Sequence, residues 1–240
     1  MILRSRGSET KLSLPDHGHA QVVLRRNVRA RRLSLRVSQL DGKVTLTAPI
    51  LASEQNILEF LHDHDGWLQK ALCKIKPAVL IGAGVTLPIR GVLHRVQHLH
   101  TSHRPTYVAA PDLINVSCPP SRIAVKVAVF LKEIARADLS AQIPDLALQI
   151  GKTAGNLTLR DTRSRWGSCT QAGALMFSWR LIMAPPEVLR YVAAHEVAHL
   201  RHMDHSRAFW ATVTELMPDY EAPRQWLRRH GAELHQYQFK

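Results

Sequence analysis

The stretch "YVAAHEVAHLRHMDHSRAFW", Tyr191 to Trp210, constrains this chain more than any other. It carries four histidines within eleven residues, His195, His199, His202 and His205, and Glu196 directly follows the first. Residues four apart on an α-helix share a face, with Cβ atoms about 5–6 Å apart. His195 and His199 can therefore bring two ring nitrogens to one ion at the roughly 2.0–2.1 Å expected for zinc. Glu196 projects about 100° around the same helix, where it reaches a water beside the ion. The pattern is H-E-x-x-H, in which the glutamate is the general base.

A catalytic zinc site takes three protein ligands and an open position. His202 lies on the same face but two turns beyond His195, about 10 Å along a straight helix. His205 reaches the ion only if the chain turns after residue 202. "MDHS" supplies that turn, because Asp204 and Ser206 are both good capping residues. His195, His199 and His205 are the expected ligands of one Zn2+, with His202 beside the site or on the surface. Their spacing matches the metzincin ligand pattern. His202 occupies the place of the metzincin turn glycine, however, and Met203 sits in nothing like a Met-turn.

Around this helix the sequence reads as mixed α and β. "QVVLRRN", "RRLSLRVS" and "KVTLTAP" alternate apolar and polar residues as half-buried strands do, with a turn at "LDG", 40–42. Ser53 is a helix N-cap ahead of "EQNILEFLHDHDGWLQKAL". Strand character returns over 84–117, with Gly82 and Gly84 in a turn rather than a phosphate loop. Pro119-Pro120 marks a boundary, and 121–143 is amphipathic with Ile123, Val127, Phe130, Leu131 and Ile134 on one face. Segments 156–161 and 174–184 read as strands. Pro185-Pro186 opens the histidine helix, and helices are expected over 206–217 and 220–232. The predicted organisation is a β-rich N-terminal domain with one helix, 1–118, and an α+β domain, 119–240, that carries the chemistry.

Composition narrows the setting. The N-terminal twenty residues lack the apolar run of a secretion signal, and stretches such as "VAVFL", 127–131, are too short to span a bilayer. Cys73, Cys118 and Cys169 form neither a disulfide framework nor a CxxC pair. A cytoplasmic protein without a membrane partner is the expectation. The formal net charge is +13, and residues 1–36 hold nine Lys/Arg (Arg4, Arg6, Lys11, Arg25, Arg26, Arg29, Arg31, Arg32, Arg36) against Glu9 and Asp16. Such a field attracts acidic substrates and polyanions such as nucleotides or nucleic acid, or it is a solvated, basic strand pair that keeps the protein soluble. The histidines at 94, 98, 100 and 103 alternate along strands and read as polar faces in preference to a second metal site.

"RSRWGSCT" (163–170), "GALMFSWRLIMAPPEVLRYVAAHEVAHL" (173–200) and "MDHSRAFW" (203–210) together resemble the YgjP-like metallopeptidase family, which is related to the SprT-like and WLM zinc metallopeptidases. Ser178 stands where that family usually has Asn. The resemblance implies an α+β fold in which the β-rich N-terminal part precedes a zincin-like helical metallopeptidase domain with a small antiparallel sheet. It also implies a gluzincin-like peptidase in which His195, His199 and His205 bind zinc and Glu196 is the base. In such peptidases a strand beside the metal helix aligns the substrate by main-chain pairing. Trp166, Gly167 and Ser168 are the candidates to line that cleft, against a reading of this stretch as a turn held by a packed Trp. Tyr191, one turn before His195, is a candidate oxyanion donor or a core residue. Cys169 reads as a buried thiol, and Trp179, Phe209, Trp210 and Trp226 as packing. Peptide hydrolysis is the first expectation. Nucleotide phosphoanhydride hydrolysis, with Arg25, Arg26, Arg29, Arg31 and Arg32 holding phosphates, is the second. A nucleic-acid-associated protease or binding protein is the third.

Overall fold

The computed structural model describes residues 9–13, 21–38, 40–73, 75–99, 106–110 and 112–240. The chain divides into two compact units, Met1–Pro77 and Ala78–Lys240. The first contains β1 (Glu9–Ser13), β2 (Gln21–Arg26), β3 (Ser34–Val37) and β4 (Val44–Ala48), followed by α1 (Glu54–Asp63) and α2 (Asp65–Leu72). Its sheet runs β1-β2-β4-β3, with β2 and β4 parallel and the other pairs antiparallel. Alternation along β4 buries Val44, Leu46 and Ala48. With Val22 and Leu24 of β2 they pack on Ile57, Leu61 and Leu68 from the helices. Ser53 caps α1 by accepting from the Asn56 N–H. The single helix expected from Glu54 onward is interrupted at His64, which leaves the helical region at φ −101, ψ 9 and joins α1 to α2.

The second unit continues with β5 (Val79–Leu80), β6 (Thr86–Ile89), β7 (Val92–Leu99), β8 (Tyr107–Ala110), β9 (Leu113–Ser117) and α3 (Ile123–Gln149). A four-stranded sheet, order β6-β7-β9-β8, packs on α3. Leu87, Ile89, Val96, Ile114 and Val116 of that sheet share one core with Val127, Leu131, Ala135 and Leu139 of α3. The boundary expected at 118 therefore falls inside this unit. The Pro119-Pro120 step turns the chain from sheet to helix, and the apolar surfaces on either side of it pack together.

Next come β10 (Leu157–Arg160), β11 (Gly167–Cys169), β12 (Leu175–Ser178), α4 (Pro186–Ala198), α5 (Arg207–Leu216), α6 (Glu221–His230) and β13 (Tyr237–Gln238), the last paired with β5. The small sheet expected to be antiparallel is mixed. β11 and β12 form an antiparallel hairpin turning at Gly173 (φ 79), whereas β10 pairs parallel to β12 on its other side. The strand expected over 174–184 stops at Ser178 and becomes a 3₁₀ turn, Trp179–Met183. All five residues of that turn are buried, so their sequence carries no alternation to mark the change. Arg180, itself buried, grips Asp161 through Nε and Nη2 at 2.6 and 3.1 Å. Its Nη1 donates to the carbonyls of Leu234 and Tyr237, tying the C-terminal segment to this turn. Among the described residues no helix is long and apolar enough to cross a membrane.

Candidate metal centre

Nearly every side of α4 is buried, with Val188, Leu189, Val192, Ala193, Ala194, Val197 and Ala198 in the core. Pro186 occupies its first turn, where a missing N–H costs nothing. Against this apolar surface, His195, Glu196 and His199 are the polar exceptions. The helix ends at His199. A tightened last turn follows, in which Arg201 and His202 both donate to the Ala198 carbonyl. Asp204 Oδ1 then accepts from the Ser206 N–H, and Ser206 Oγ accepts from the Phe209 N–H to start α5. The capped turn legible in "MDHS" thus brings His205 back over α4.

The Nε2 atoms of His205 and His195 stand 3.2 Å apart, and ligand nitrogens of all three histidines lie within 4.8 Å of one another. Two nitrogens bound tetrahedrally at zinc–nitrogen distances are separated by about 3.3 Å. His199 Nδ1 donates to the His202 carbonyl at 2.9 Å, which fixes the ring and leaves Nε2 for an ion. Phe209, fully buried, lies under all three imidazoles with centroid distances of 4.9, 4.5 and 4.8 Å to His195, His199 and His205. Burial, reinforced by the neighbouring imidazoles and Arg224, lowers the His195 pKa to about 3. Burial also lowers that of His199. Unprotonated imidazoles are the form that binds a metal.

Glu196 is 5% exposed, and burial raises its carboxyl pKa to about 7 against the opposing pull of Arg165. Gly167 of β11 lies directly against it. A Cβ placed there would fall 2.5 Å from Glu196 Oε1 and 2.6 Å from Cγ. Only glycine lets the strand come this close, a use of glycine that its position in a strand signals. Gly167, Ser168 and Cys169 form one wall of a cleft of about 240 Å³, and His195, Glu196, His199, Met203 and His205 form the rest.

Of the other residues singled out from the sequence, Ser168 borders this cleft, while Trp166 and Tyr191 do not. Trp166 packs against Gly231 and the His235 ring, 5.2 Å between centroids. Tyr191 is buried between His195 and Tyr220, with ring centroids 5.9 and 6.2 Å away. Cys169 lines the cleft as a protonated thiol, its pKa pushed up to about 11 by burial and then by Glu196. His202 contributes its backbone carbonyl rather than its ring. Ser178 is fully buried, and its hydroxyl finds no partner among the described residues. Sequence reasoning did not find the seat of Glu196 against Gly167, nor Phe209 as the floor of the site. Met203, half exposed at the cleft, was also missed.

The basic residues are spread differently. Arg4, Arg6 and Asp16 lie outside the described residues, as do the side chains of Glu9 and Lys11. Arg25, Arg29, Arg31, Arg32 and Arg36 are exposed in the first unit, whereas Arg26 donates to the carbonyls of Pro49, Ile50 and Ala52. His94 and His98 bond to the carbonyls of Val92 and Cys118, and His100 and His103 lie outside the described residues. Among the described residues the three-histidine group is the one cluster suited to a metal.

Comparison with known families finds one whose model, described as "YgjP-like, metallopeptidase domain", matches residues 31–230. No curated protein matches. Among solved structures, the crystal structure of the metallopeptidase zymogen of Pyrococcus abyssi abylysin aligns at 18% identity with a TM-score of 0.35. The alignment covers 39% of this chain and 92% of that one.

Proposed function

This chain belongs to the YgjP-like metallopeptidase family, and we propose that it is a zinc-dependent hydrolase of peptide bonds with Glu196 as its general base. Membership makes it a metal-dependent hydrolase of peptides or proteins. The finer reading is supported by one observation above all: three imidazoles aimed at a common point beside a buried carboxylate. His195, His199 and His205 hold the ion, and three imidazole donors suit zinc. A bound zinc ion supplies Lewis acidity and lowers the pKa of water toward neutrality.

The remaining work falls to the chain's own groups. β11 is an edge strand of its sheet, and Gly167 to Cys169 face the cleft. An extended substrate pairs along this edge, which presents its scissile carbonyl to the site. Glu196, with its pKa near neutrality, removes a proton from the attacking water. The water oxygen adds to the carbonyl carbon. Glu196 then returns the proton to the amide nitrogen as the C–N bond breaks, so that acid and amine leave in balance. Met203 gives the cleft an apolar wall for a substrate side chain.

Glu196→Gln is the direct test. Turnover of a casein or peptide substrate should fall by a factor on the order of 10²–10⁴, while zinc content, measured by elemental analysis, stays at the wild-type level. A fully active Glu196→Gln protein would remove Glu196 as the base.

A further inference from the structure

At one end of the first unit's sheet, two connections emerge side by side. Strands β2 and β4 are parallel, with Arg26 opposite Ala48, so the chain leaves both at the same edge. The Asn27 N–H donates to the Ala48 carbonyl, and Arg26 Nη1 reaches the Ile50 and Ala52 carbonyls at 2.9 and 2.8 Å. These bonds hold the segment after β2, Asn27–Leu33, beside the segment after β4, Pro49–Ser53. β3 starts from the same edge, with Ser34 opposite Thr47.

What this edge displays is unusual for a free surface. Leu51 is 95% exposed, Val28 80% and Ile50 49%. Arg29, Arg31 and Arg32 are exposed on the first of the two segments, and the described residues offer them no acidic partner. Aliphatic tips flanked by guanidinium groups form a mixed surface. Phosphates satisfy the arginines by paired hydrogen bonds. A hydrated phosphate backbone alone leaves the leucine, isoleucine and valine in water. A lipid surface satisfies both, because headgroup phosphates lie directly above an acyl boundary that takes up short aliphatic tips.

We propose that the paired segments Asn27–Leu33 and Pro49–Ser53 form a peripheral docking surface for an anionic phospholipid membrane. Val28, Ile50 and Leu51 enter the headgroup–acyl boundary, while Arg29, Arg31 and Arg32 bind lipid phosphates. This contact is independent of the metal site and requires no spanning helix.

The test is co-sedimentation of the full-length protein with vesicles of phosphatidylcholine alone and of phosphatidylcholine mixed with phosphatidylglycerol. Binding is expected on the mixed vesicles and not on the neutral ones, and it should weaken as salt is raised. The triple change Arg29→Gln, Arg31→Gln, Arg32→Gln should reduce binding by roughly a hundredfold, from about 1 kcal/mol per basic residue at an anionic surface. Val28→Asp with Leu51→Asp should abolish it at unchanged arginine content, and thermal melting of each variant checks the fold. Three results would overturn the proposal: no sedimentation with mixed vesicles, binding that survives Val28→Asp with Leu51→Asp, or retention on DNA or RNA without retention on vesicles. The last would make this edge a nucleic-acid surface.

Discussion

The two units place their polar groups in opposite ways. Among the described residues, the first unit buries apolar side chains and holds its charge at the surface. The second unit buries Glu196, His199, Arg180, His235, Ser178 and Thr212 within or beside its core. Burying a polar group costs free energy unless something compensates it. Some of these groups have partners within the chain. Arg180 has a carboxylate and two carbonyls, and Thr212 donates to the Ala208 carbonyl. Glu196 has no such partner among the described residues, nor has the Ser178 hydroxyl, and of the two it is Glu196 that the proposed function places beside an ion and a substrate. Surface charge costs little and says little about chemistry by itself. A buried carboxylate without a partner, set beside three clustered imidazoles, marks the candidate site.

The largest expected effect that probes this contrast comes from Gly167→Ala. A Cβ at that position collides with the Glu196 carboxylate. Displacing a reacting group by about 1 Å costs on the order of a hundredfold in rate. Peptidase kcat/KM should fall by that amount while zinc content is kept. Wild-type activity in this variant would mean that the carboxylate need not sit where β11 holds it.

A core truncation in the other unit sharpens the contrast. Leu46→Ala deletes a fully buried side chain and should cost roughly 2–5 kcal/mol in denaturant melts. Activity on a soluble peptide under native conditions should persist, because no residue of the first unit enters the proposed chemistry. Loss of activity in proportion to lost stability would show that the two units are energetically one.

His235 separates structural burial from functional burial. It is buried against Trp166, and its pKa is lowered from 6.5 to about 4 by burial and then by Arg180. The unfolded chain takes up this proton near pH 6.5, while the folded protein refuses it until about pH 4. Stability therefore falls as pH drops through that window and is unaffected above it. His235→Phe keeps an aromatic ring beside Trp166. It should reduce the loss of stability between pH 7 and mild acid by roughly 1–3 kcal/mol, with activity at neutral pH unchanged. Equal acid sensitivity in both proteins would place the titrating group elsewhere.

Much of the geometry of the candidate metal centre was legible in the sequence because its rules are local. Helical spacing pairs His195 with His199, and capping chemistry at Asp204 and Ser206 turns His205 back. The contacts that seat the site were not legible, because they join distant segments. Nothing near Gly167 in sequence announces Glu196, and nothing near His199 announces that His202 serves through its carbonyl. Fold class was readable from alternation and helical period. The parallel pairing of β10 with β12 was not, because the register of a third strand depends on which edge of the hairpin is free. Pro119-Pro120 looked like a boundary for a similar reason: a break in the backbone pattern does not reveal that the surfaces on either side share a core.

His195, His199 and His205 belong to a single short run of chain that bends back on itself. Closing so small a loop costs little entropy, so an unfolded copy of this segment would lose less of any chelating ability than ligands drawn from distant segments. A ligand stabilises a native state only by the margin with which it prefers that state over the denatured one. An ion held by these three would therefore contribute less to the endurance of this protein than a metal bridging remote segments, leaving the fold to rest chiefly on its apolar interior.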